Sequence, residues 1–443
     1  MKTNPFLNNS FHIPWSALTP ENIVPGMKLA LERAESEMEA VRKMPLEQSG
    51  FRSLILRLCK AQEDLFEIWN VVSHLDQVRN SEALREAYNE MLPEVTAFGA
   101  KILLDQTLWN QVKAFAQSQE GLGLIGQEKR LLDELVADFI GAGADLPEEK
   151  RKRLEELSSE LAQATQKFSE NVLDSTNAWQ KNVLDENLLA GLPESAKSAA
   201  RETARQKELK GWVFTLHAPS TMPVMKYLED DSIRREFWEA SSKVGWDGER
   251  DNTDLIRTIL RLRQEKATIL EKRDYADVVL ERRMAGSGER ADRFVSDLKE
   301  KTTEAFEREN DQLISFKAEV SGQPADLLEP WEISYWSEKQ MKKRYEFDEE
   351  DLRPYLPIDS VLSGMFSLAT EIFRLRIEER STCFDGKTAN QVGKDDRKAV
   401  EVWHPEVKFY EVFDAGDNRH LGSFYADWHP RPDKRSGAWM NHF

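Results

Sequence analysis

Residues 51–72 read FRSLILRLCKAQEDLFEIWNVV, and this stretch decides the fold class. Its apolar residues recur at steps of three and four. They are Phe51, Leu54, Ile55, Leu58, Ala61, Leu65, Ile68, Trp69 and Val72. Because a helix turns once in about 3.6 residues, this spacing puts them on one face. The stretch therefore predicts an amphipathic helix with one buried side.

Similar patterns and helix-start signals recur along the chain. Thr19-Pro20-Glu21 has the residues of an N-cap with proline at the first helical position, and Pro25 is expected to break and restart that helix. Asp145 is expected to cap a long helix with a narrow apolar seam. The seam consists of Leu154, Leu157, Leu161, Ala164 and Phe168. Such a seam indicates a helical hairpin or a coiled-coil-like arm.

Short β-forming stretches interrupt the helices. Residues 211–217 predict one strand, and residues 399–403, 407–413 and 421–428 predict a small antiparallel group. Ala-Gly-Asp-Asn at 415–418 supplies turn residues between the last two. We therefore expect a mainly α fold of multi-lobed helical bundles and hairpins, with a small antiparallel β group near the C-terminus.

Length and charge limit the class of protein. The 443 residues allow several lobes. With 79 acidic and 61 basic residues the formal charge is −18, which argues against nucleic acid and membranes as partners. The two cysteines, Cys59 and Cys383, lack metal-ligand spacing, and no segment has the composition of a signal peptide or a membrane span. The expected location is the cytoplasm.

Motifs for metal and nucleophile chemistry are absent from the sequence. The histidines are His12, His74, His217, His404, His420, His429 and His442. No two are four residues apart, the spacing by which one helix directs two imidazoles at zinc. Glu401 and His404 have Glu-x-x-His spacing, but there is one copy, and residues three apart on a strand point to opposite faces. Phosphate-binding loops and serine nucleophile elbows are also missing.

Ten segments nonetheless resemble, in order, the oligopeptidase A branch of the thimet oligopeptidase family. They are PWSALTPENIVP at 14–25, PVMKY at 223–227, RRE at 234–236, RLRQE at 261–265, DYAD at 274–277, PWEISYWSEKQ at 330–340, LRPYLP at 352–357, VWHPEV at 402–407, GSFYAD at 422–427 and KRSGAWM at 434–440. The resemblance covers essentially the whole chain. Its most specific blocks are 331–339 and 403–439.

The resemblance implies a zinc metalloendopeptidase in which a metal-bound water attacks a short peptide in a channel between helical lobes. It implies an N-terminal helical domain at 1–185 and, at 186–443, the helical first part of the peptidase domain with a small β-sheet at about 399–429. In the family the His-Glu-x-x-His motif follows the Gly-Ala-Trp-Met segment, whereas this sequence ends at Phe443. We therefore expect no catalytic or metal-ligating residues, no bound zinc and no activity in this chain alone. The C-terminal remainder of the peptidase domain would be its partner, if it exists.

The family's channel also suggests where an oligopeptide would lie. The expected channel residues are Phe424, Tyr425, Asp427, Gly437, Ala438 and Trp439, with core packing as the simpler role for the three aromatic rings. Residues 437–440 are expected to leave an exposed edge and apolar surface that favour aggregation. Three interpretations remain open: a fragmentary oligopeptidase, a non-catalytic peptide-binding or regulatory protein, and a helical scaffold without peptide affinity.

Overall fold

A computed structural model describes residues 4–8, 10–246, 248–392 and 398–443. Helix accounts for 65% of the residues and strand for 9%, which confirms the mainly α class. The α-helices are α1 (Pro20–Arg42), α2 (Arg57–Val78), α3 (Glu82–Leu104), α4 (Gln106–Ala116), α5 (Gln119–Gly123), α6 (Gly126–Ala142), α7 (Glu148–Ala178), α8 (Glu194–Gln206), α9 (Ala218–Tyr227), α10 (Asp231–Ser242), α11 (Thr253–Ile269), α12 (Tyr275–Leu280), α13 (Gly288–Ser321), α14 (Ile333–Tyr345), α15 (Glu349–Leu352) and α16 (Ile358–Phe373). The strands are β1 (Gln180–Val183), β2 (Trp212–Thr215), β3 (Leu375–Arg380), β4 (Thr382–Phe384), β5 (Lys387–Asn390), β6 (Val400–Glu401), β7 (Lys408–Asp414) and β8 (His420–Ala426).

The helix predicted from residues 51–72 is confirmed. Its first six residues, Phe51–Leu56, form a π-helix that continues into α2. The predicted apolar face is buried or packs against the core along its length. At the start of the π-helix, the Phe51 backbone N–H donates to the Glu120 carboxylate at 2.9 Å. That bond satisfies one of the donors that every helix start leaves unpaired.

The expected break at Pro25 does not occur, because α1 runs unbroken from Pro20 to Arg42. Pro25 is the sixth residue of α1, and its missing N–H removes one backbone hydrogen bond in the first turns of the helix. The buried Ile23 and Met27 on either side pack into the core and hold the helix together. Burial of an apolar face thus outweighs the local cost of the proline.

The long helix α7 begins where predicted, but Asp145 does not cap it as expected. Its carboxylate instead accepts hydrogen bonds from the Trp109 indole N–H at 2.7 Å and from Lys113 at 3.2 Å. These bonds lower the pKa of Asp145. Leu154, Leu157 and Leu161 of the seam join a core cluster with Leu262 of α11, and Arg153 of α7 donates to Glu265 of α11 at 2.6 Å. The expected helical hairpin or coiled-coil-like arm stays a prediction.

The chain divides into two compact units, each described by itself. Unit 1 comprises the described residues up to 167, 257–284 and those from 373 onward. Its main core is formed by α1, α2, α3, α4 and α6. Unit 2 comprises 168–256 and 285–372, with a smaller core of β1, β2, α8, α9 and α10. The domain boundary expected after residue 185 stays a prediction.

The sheets are small and partly differ from expectation. In unit 1, β3, β7 and β8 form an antiparallel sheet in that order, and β7 and β8 are the predicted hairpin. Asp414 stabilises its turn by accepting from the Gly416 N–H at 2.7 Å. The strand expected at 399–403 does not join this group, because β6 pairs in parallel with β4 in a separate sheet with β5. In unit 2, β1 and β2 pair antiparallel.

No single described helix has the length and apolar composition of a membrane span, although α15 with its following turn and α16 pass that test together as a pair bent by 68°.

Candidate functional site

The candidate site lies on unit 1, around strand β8 and the segment that follows it. The strand order β3-β7-β8 places β8 at the edge of its sheet. On this strand, Phe424 stacks on Tyr410 with ring centroids 4.9 Å apart, and Tyr425 packs against Phe409 at 4.7 Å. Both rings therefore make packing contacts with β7, and their assignment to a substrate channel stays a prediction. The outer edge of β8 still presents backbone groups, as every edge strand does.

Asp427, directly after β8, is the centre of a buried ionic cluster. Its carboxylate accepts from Arg431 at 2.8 and 2.9 Å, from Lys434 at 2.9 Å and from the Trp403 indole at 2.9 Å. Burial alone would raise the pKa of Asp427, but these donors outweigh it and lower the pKa to about 2. The carboxylate therefore stays ionised at neutral pH and is unsuited to proton transfer.

An aromatic cluster adjoins the ionic one. The rings of Trp15, Trp403 and Phe443 surround His74, whose ring centroid lies 4.3 Å from that of Trp403. Burial lowers the pKa of His74 to about 3, and burial raises the pKa of Tyr425 to about 12. Both side chains are therefore neutral at physiological pH, and the cluster as arranged serves packing.

Residues 428–443 run along α2 and are fastened to its end. The Asn80 N–H donates to the Asp433 carbonyl at 2.9 Å, and the Arg435 N–H donates to the Gln77 carbonyl at 2.8 Å. Arg431 reaches the Val78 carbonyl at 2.7 Å. The Asn441 amide donates to His74 Nδ1 at 3.1 Å, which requires a neutral ring. These bonds hold the segment that follows β8 in a fixed position against α2.

The structure brings together some of the predicted channel residues. Tyr425 and Trp439 both pack against the main core, and the Arg435 guanidinium lies 4.9 Å from the Trp439 ring centroid. Gly437 and Ala438 are exposed, and Gly437 has φ +99°, a left-handed conformation that favours glycine. Their assignment to a substrate channel stays a prediction.

Sequence reasoning did not assign His74, Arg431 and Lys434 to this site. A histidine beside Val72 and Leu75 on a buried helix face is an unusual feature that could have drawn attention to His74. The positions of Arg431 and Lys434, four and seven residues after Asp427, suggest a helix. The segment is not helical there, so local spacing could not reveal that all three charges converge.

The zinc that the family implies does not fit the described residues. Among them, no group of three or more His, Cys, Asp or Glu side chains is placed to hold a metal ion. Several histidines have other partners, such as His217 with Asn177 and His420 with Ser423. Glu401, the rejected Glu-x-x-His candidate, accepts from the backbone and hydroxyl of Ser16 at 2.9 and 2.7 Å.

Comparison with known proteins gives one consistent family. The model described as Peptidase family M3 matches residues 224–443, and that described as Neurolysin/Thimet oligopeptidase, N-terminal domain, matches residues 27–151. Oligopeptidase A of Salmonella typhimurium and that of Escherichia coli are each 35% identical over 445 residues, 99% of this chain and 62% of theirs. The probable cytosolic oligopeptidase A of Arabidopsis thaliana is 30% identical over 100% of this chain and 61% of its own.

The chain thus spans about three fifths of the length of these relatives. The N-terminal domain model matches the front of the sequence, and the Peptidase family M3 model matches the back. The relatives align over nearly all of the chain. The resemblance inferred from the ten segments is confirmed. The chain belongs to peptidase family M3.

Proposed function

We propose that the protein is a zinc-dependent endopeptidase of the oligopeptidase A type, acting on short peptides in the cytoplasm. We further propose that this chain by itself holds the peptide and does not cleave it. The family assignment and the names of the relatives support the first part. The geometry of unit 1 supports the second.

The observation that carries the peptide-holding role is the position of β8 at the sheet edge. An extended peptide can add to such an edge as a further strand, with backbone hydrogen bonds supplying affinity. The neighbouring sheet positions are rigid, because Phe424 and Tyr425 pack on β7 and Asp427 fastens the segment that follows. A rigid edge lowers the entropic cost of ordering a bound peptide.

Cleavage is assigned to none of the described residues. Zinc would supply an activated water and polarise the scissile carbonyl. Asp427 stays ionised and fully engaged with its cationic partners, so it neither donates a proton nor is free to accept one. The role left to this part of the chain is to bind and orient the peptide backbone.

Two other functions make different predictions. A non-catalytic peptide-binding protein would bind at the same edge and never hydrolyse, even as a longer protein. A helical scaffold would not bind peptide at all. The β8 edge favours peptide binding over a scaffold, and peptide binding is therefore the property to measure first.

The test uses a fluorescein-labelled nonapeptide of alternating polar and apolar residues and fluorescence anisotropy. Two further versions carry N-methyl groups at either the odd or the even positions. Only alternate N–H groups of an added strand face its partner. We expect one methylated version to lose at least about tenfold in affinity and the other to bind nearly as well.

Hydrogen exchange locates the bound peptide. Amides of residues 420–426 should gain protection, while those of β3 at the opposite edge serve as the internal control. Equal binding of both methylated versions, or protection at β3 alone, would count against the proposal. Absence of any binding would favour the scaffold.

A further inference from the structure

Unit 2 contains a groove that the proposed function does not use. It lies beside helix α8 and the strand pair β1–β2, and its volume is about 610 Å³, within the roughly 300–1,000 Å³ of ordinary ligand sites. The side chains that give it its chemistry are Leu184, Arg201, Glu202, Arg205, Leu209 and Trp212. All of them belong to unit 2.

The groove carries one uncompensated positive charge. Arg205 is held by Glu202 through two hydrogen bonds of 2.7 and 2.6 Å. The Arg201 guanidinium instead lies over the Trp212 ring, 5.0 Å from its centroid, and no described carboxylate pairs with it. Two arginines and one glutamate leave a charge of +1, in a chain whose formal charge is −18.

The same groove has apolar walls that face solvent. Leu184 is 70% exposed and Leu209 is 39% exposed. The local backbone is well fixed, since the Leu209 N–H donates to the Ala204 carbonyl at 2.9 Å. Gly211, at φ +85°, lets the chain pass so close to the Val183 carbonyl that a Cβ would lie 2.2 Å from it. The backbone that carries these walls is therefore preformed.

We propose that this groove binds a carboxylate attached to an apolar group. A planar guanidinium stacked on an aromatic ring is oriented to bind a carboxylate by two parallel hydrogen bonds. The two leucines would remove the adjoining apolar group from water. The natural ligand is then the C-terminal residue of a short peptide. That last identification rests on the proposed function, whereas the carboxylate chemistry does not.

The experiment titrates the full chain with N-acetyl-Leu-Leu and with its C-terminal amide, monitored by calorimetry. We expect the acid to bind saturably and the amide at least about tenfold more weakly, because a charge-assisted pair is lost. Arg201→Gln should lower the affinity for the acid by a similar factor and leave the affinity for the amide unchanged. Leu184→Ser should lower the affinity for both ligands.

Arg235→Gln is the matched control. Arg235 also lies over a tryptophan of unit 2, with its guanidinium 5.1 Å from the Trp331 ring centroid, but outside the groove. This variant should bind the acid like the unaltered protein. Urea unfolding midpoints establish that each variant is folded.

Equal affinity for acid and amide, or an unchanged acid affinity in the Arg201 variant, would overturn the proposal. Acetate or inorganic phosphate binding as tightly as N-acetyl-Leu-Leu would also overturn it, because the apolar walls would then contribute nothing. The result is independent of the β8 test: binding there, detected by N-methyl dependence and exchange at 420–426, does not involve Arg201.

Discussion

Asp427 connects three parts of unit 1 through a single carboxylate. It receives the Trp403 indole before β7, and Arg431 and Lys434 from the segment that lies along α2. The side chains of both cations are 9% exposed. Removing the carboxylate would leave the buried Lys434 without an ionic partner and Arg431 with only the more exposed Asp433, 3.3 Å from its Nε. That loss is more costly than the loss of an exposed ion pair.

We predict that Asp427→Asn lowers the free energy of unfolding at pH 7 by about 3–5 kcal/mol, measured by urea denaturation. Because the folded pKa of Asp427 is depressed, the carboxylate's contribution is present above its unfolded value of 3.8 and is lost as the pH falls toward about 2. The difference between variant and unaltered protein should therefore shrink over that interval.

Asp385→Asn is the control for this substitution, since Asp385 is exposed and lies 4.0 Å from Arg79 in a weak pair. It should change stability by less than about 0.5 kcal/mol. A similarly small effect at Asp427 would show that the ionic cluster does not fasten the segment.

His74 gives a second pH dependence at higher pH. Burial holds its folded pKa at about 3, against 6.5 when unfolded, although Asp427 opposes and Arg431 and Lys434 assist the shift. The stability that comes from neutral His74 is present above pH 6.5 and is lost as the pH falls toward 3. We predict that, as the pH falls from 7 to 5, the free energy of unfolding of the unaltered protein decreases by about 2 kcal/mol more than that of the His74→Phe variant. Urea denaturation at both pH values measures this difference.

His420→Phe is the matched control, because His420 lies at the exposed end of β8 beside Ser423. It introduces the same aromatic side chain at an exposed position of the strand. Parallel curves for all three proteins would show that His74 is not held neutral by the fold.

At the scale of elements, the spacing of apolar residues predicted the helices better than the local proline and capping signals did. The face of α2 is buried as predicted, whereas Pro25 fails to break α1 and Asp145 bonds to Trp109 instead of capping α7. Both failures have one cause: tertiary packing supplies partners and burial that outweigh local signals. Single-element periodicity is therefore predictable, and competition between local and long-range partners is not.

Strand pairing shows the same limit. The β7–β8 hairpin is predictable because its turn lies between adjacent strands. By contrast, β6 pairs with β4, whose partner residues lie 18 positions earlier in the chain, and the Val400 N–H donates to the Ser381 carbonyl at 2.9 Å. Strands β1, β3, β4 and β5 went unpredicted, being short and without strong alternation. Nothing in a short strand specifies a distant partner.

Helix α16 exposes an apolar stripe at helical spacing. Ile358, Val361, Met365, Leu368 and Ile372 are between 46% and 60% exposed. The apolar surface expected at 437–440 exposes fewer large apolar side chains than the stripe on α16. Met440 is 86% exposed there, but Trp439 packs on the core. The larger apolar surface is therefore on unit 2.

We predict that the doubly substituted chain Met365→Lys and Leu368→Glu binds less than half as much of a hydrophobicity-sensitive dye as the unaltered chain and scatters less light. Exposed contiguous apolar surface is what such dyes and self-association report. Ser367→Glu on the same helix is the control and should leave both signals unchanged. If the double substitution also leaves them unchanged, the stripe is not the surface that associates.

At the scale of the whole molecule, family and fold class could be predicted from the sequence, and the arrangement of the candidate site only in part. Tyr425 and Asp427 are candidates because they lie in a family segment. Their convergence with His74, more than 350 positions earlier in the chain, depends on how 428–443 lies along α2. Chemistry that arises from such long-range convergence has no local sequence signal.

The central claim is that this family M3 chain binds peptide but does not itself cleave it. The most direct measurement incubates the purified chain with zinc or cobalt and a quenched fluorescent oligopeptide, with and without a chelator, and determines the metal content after repurification. We predict no chelator-sensitive cleavage and well below one zinc per chain, because no two histidines have ligand spacing. Metal-dependent turnover that persists after repurification, with about one zinc bound per chain, would contradict the claim.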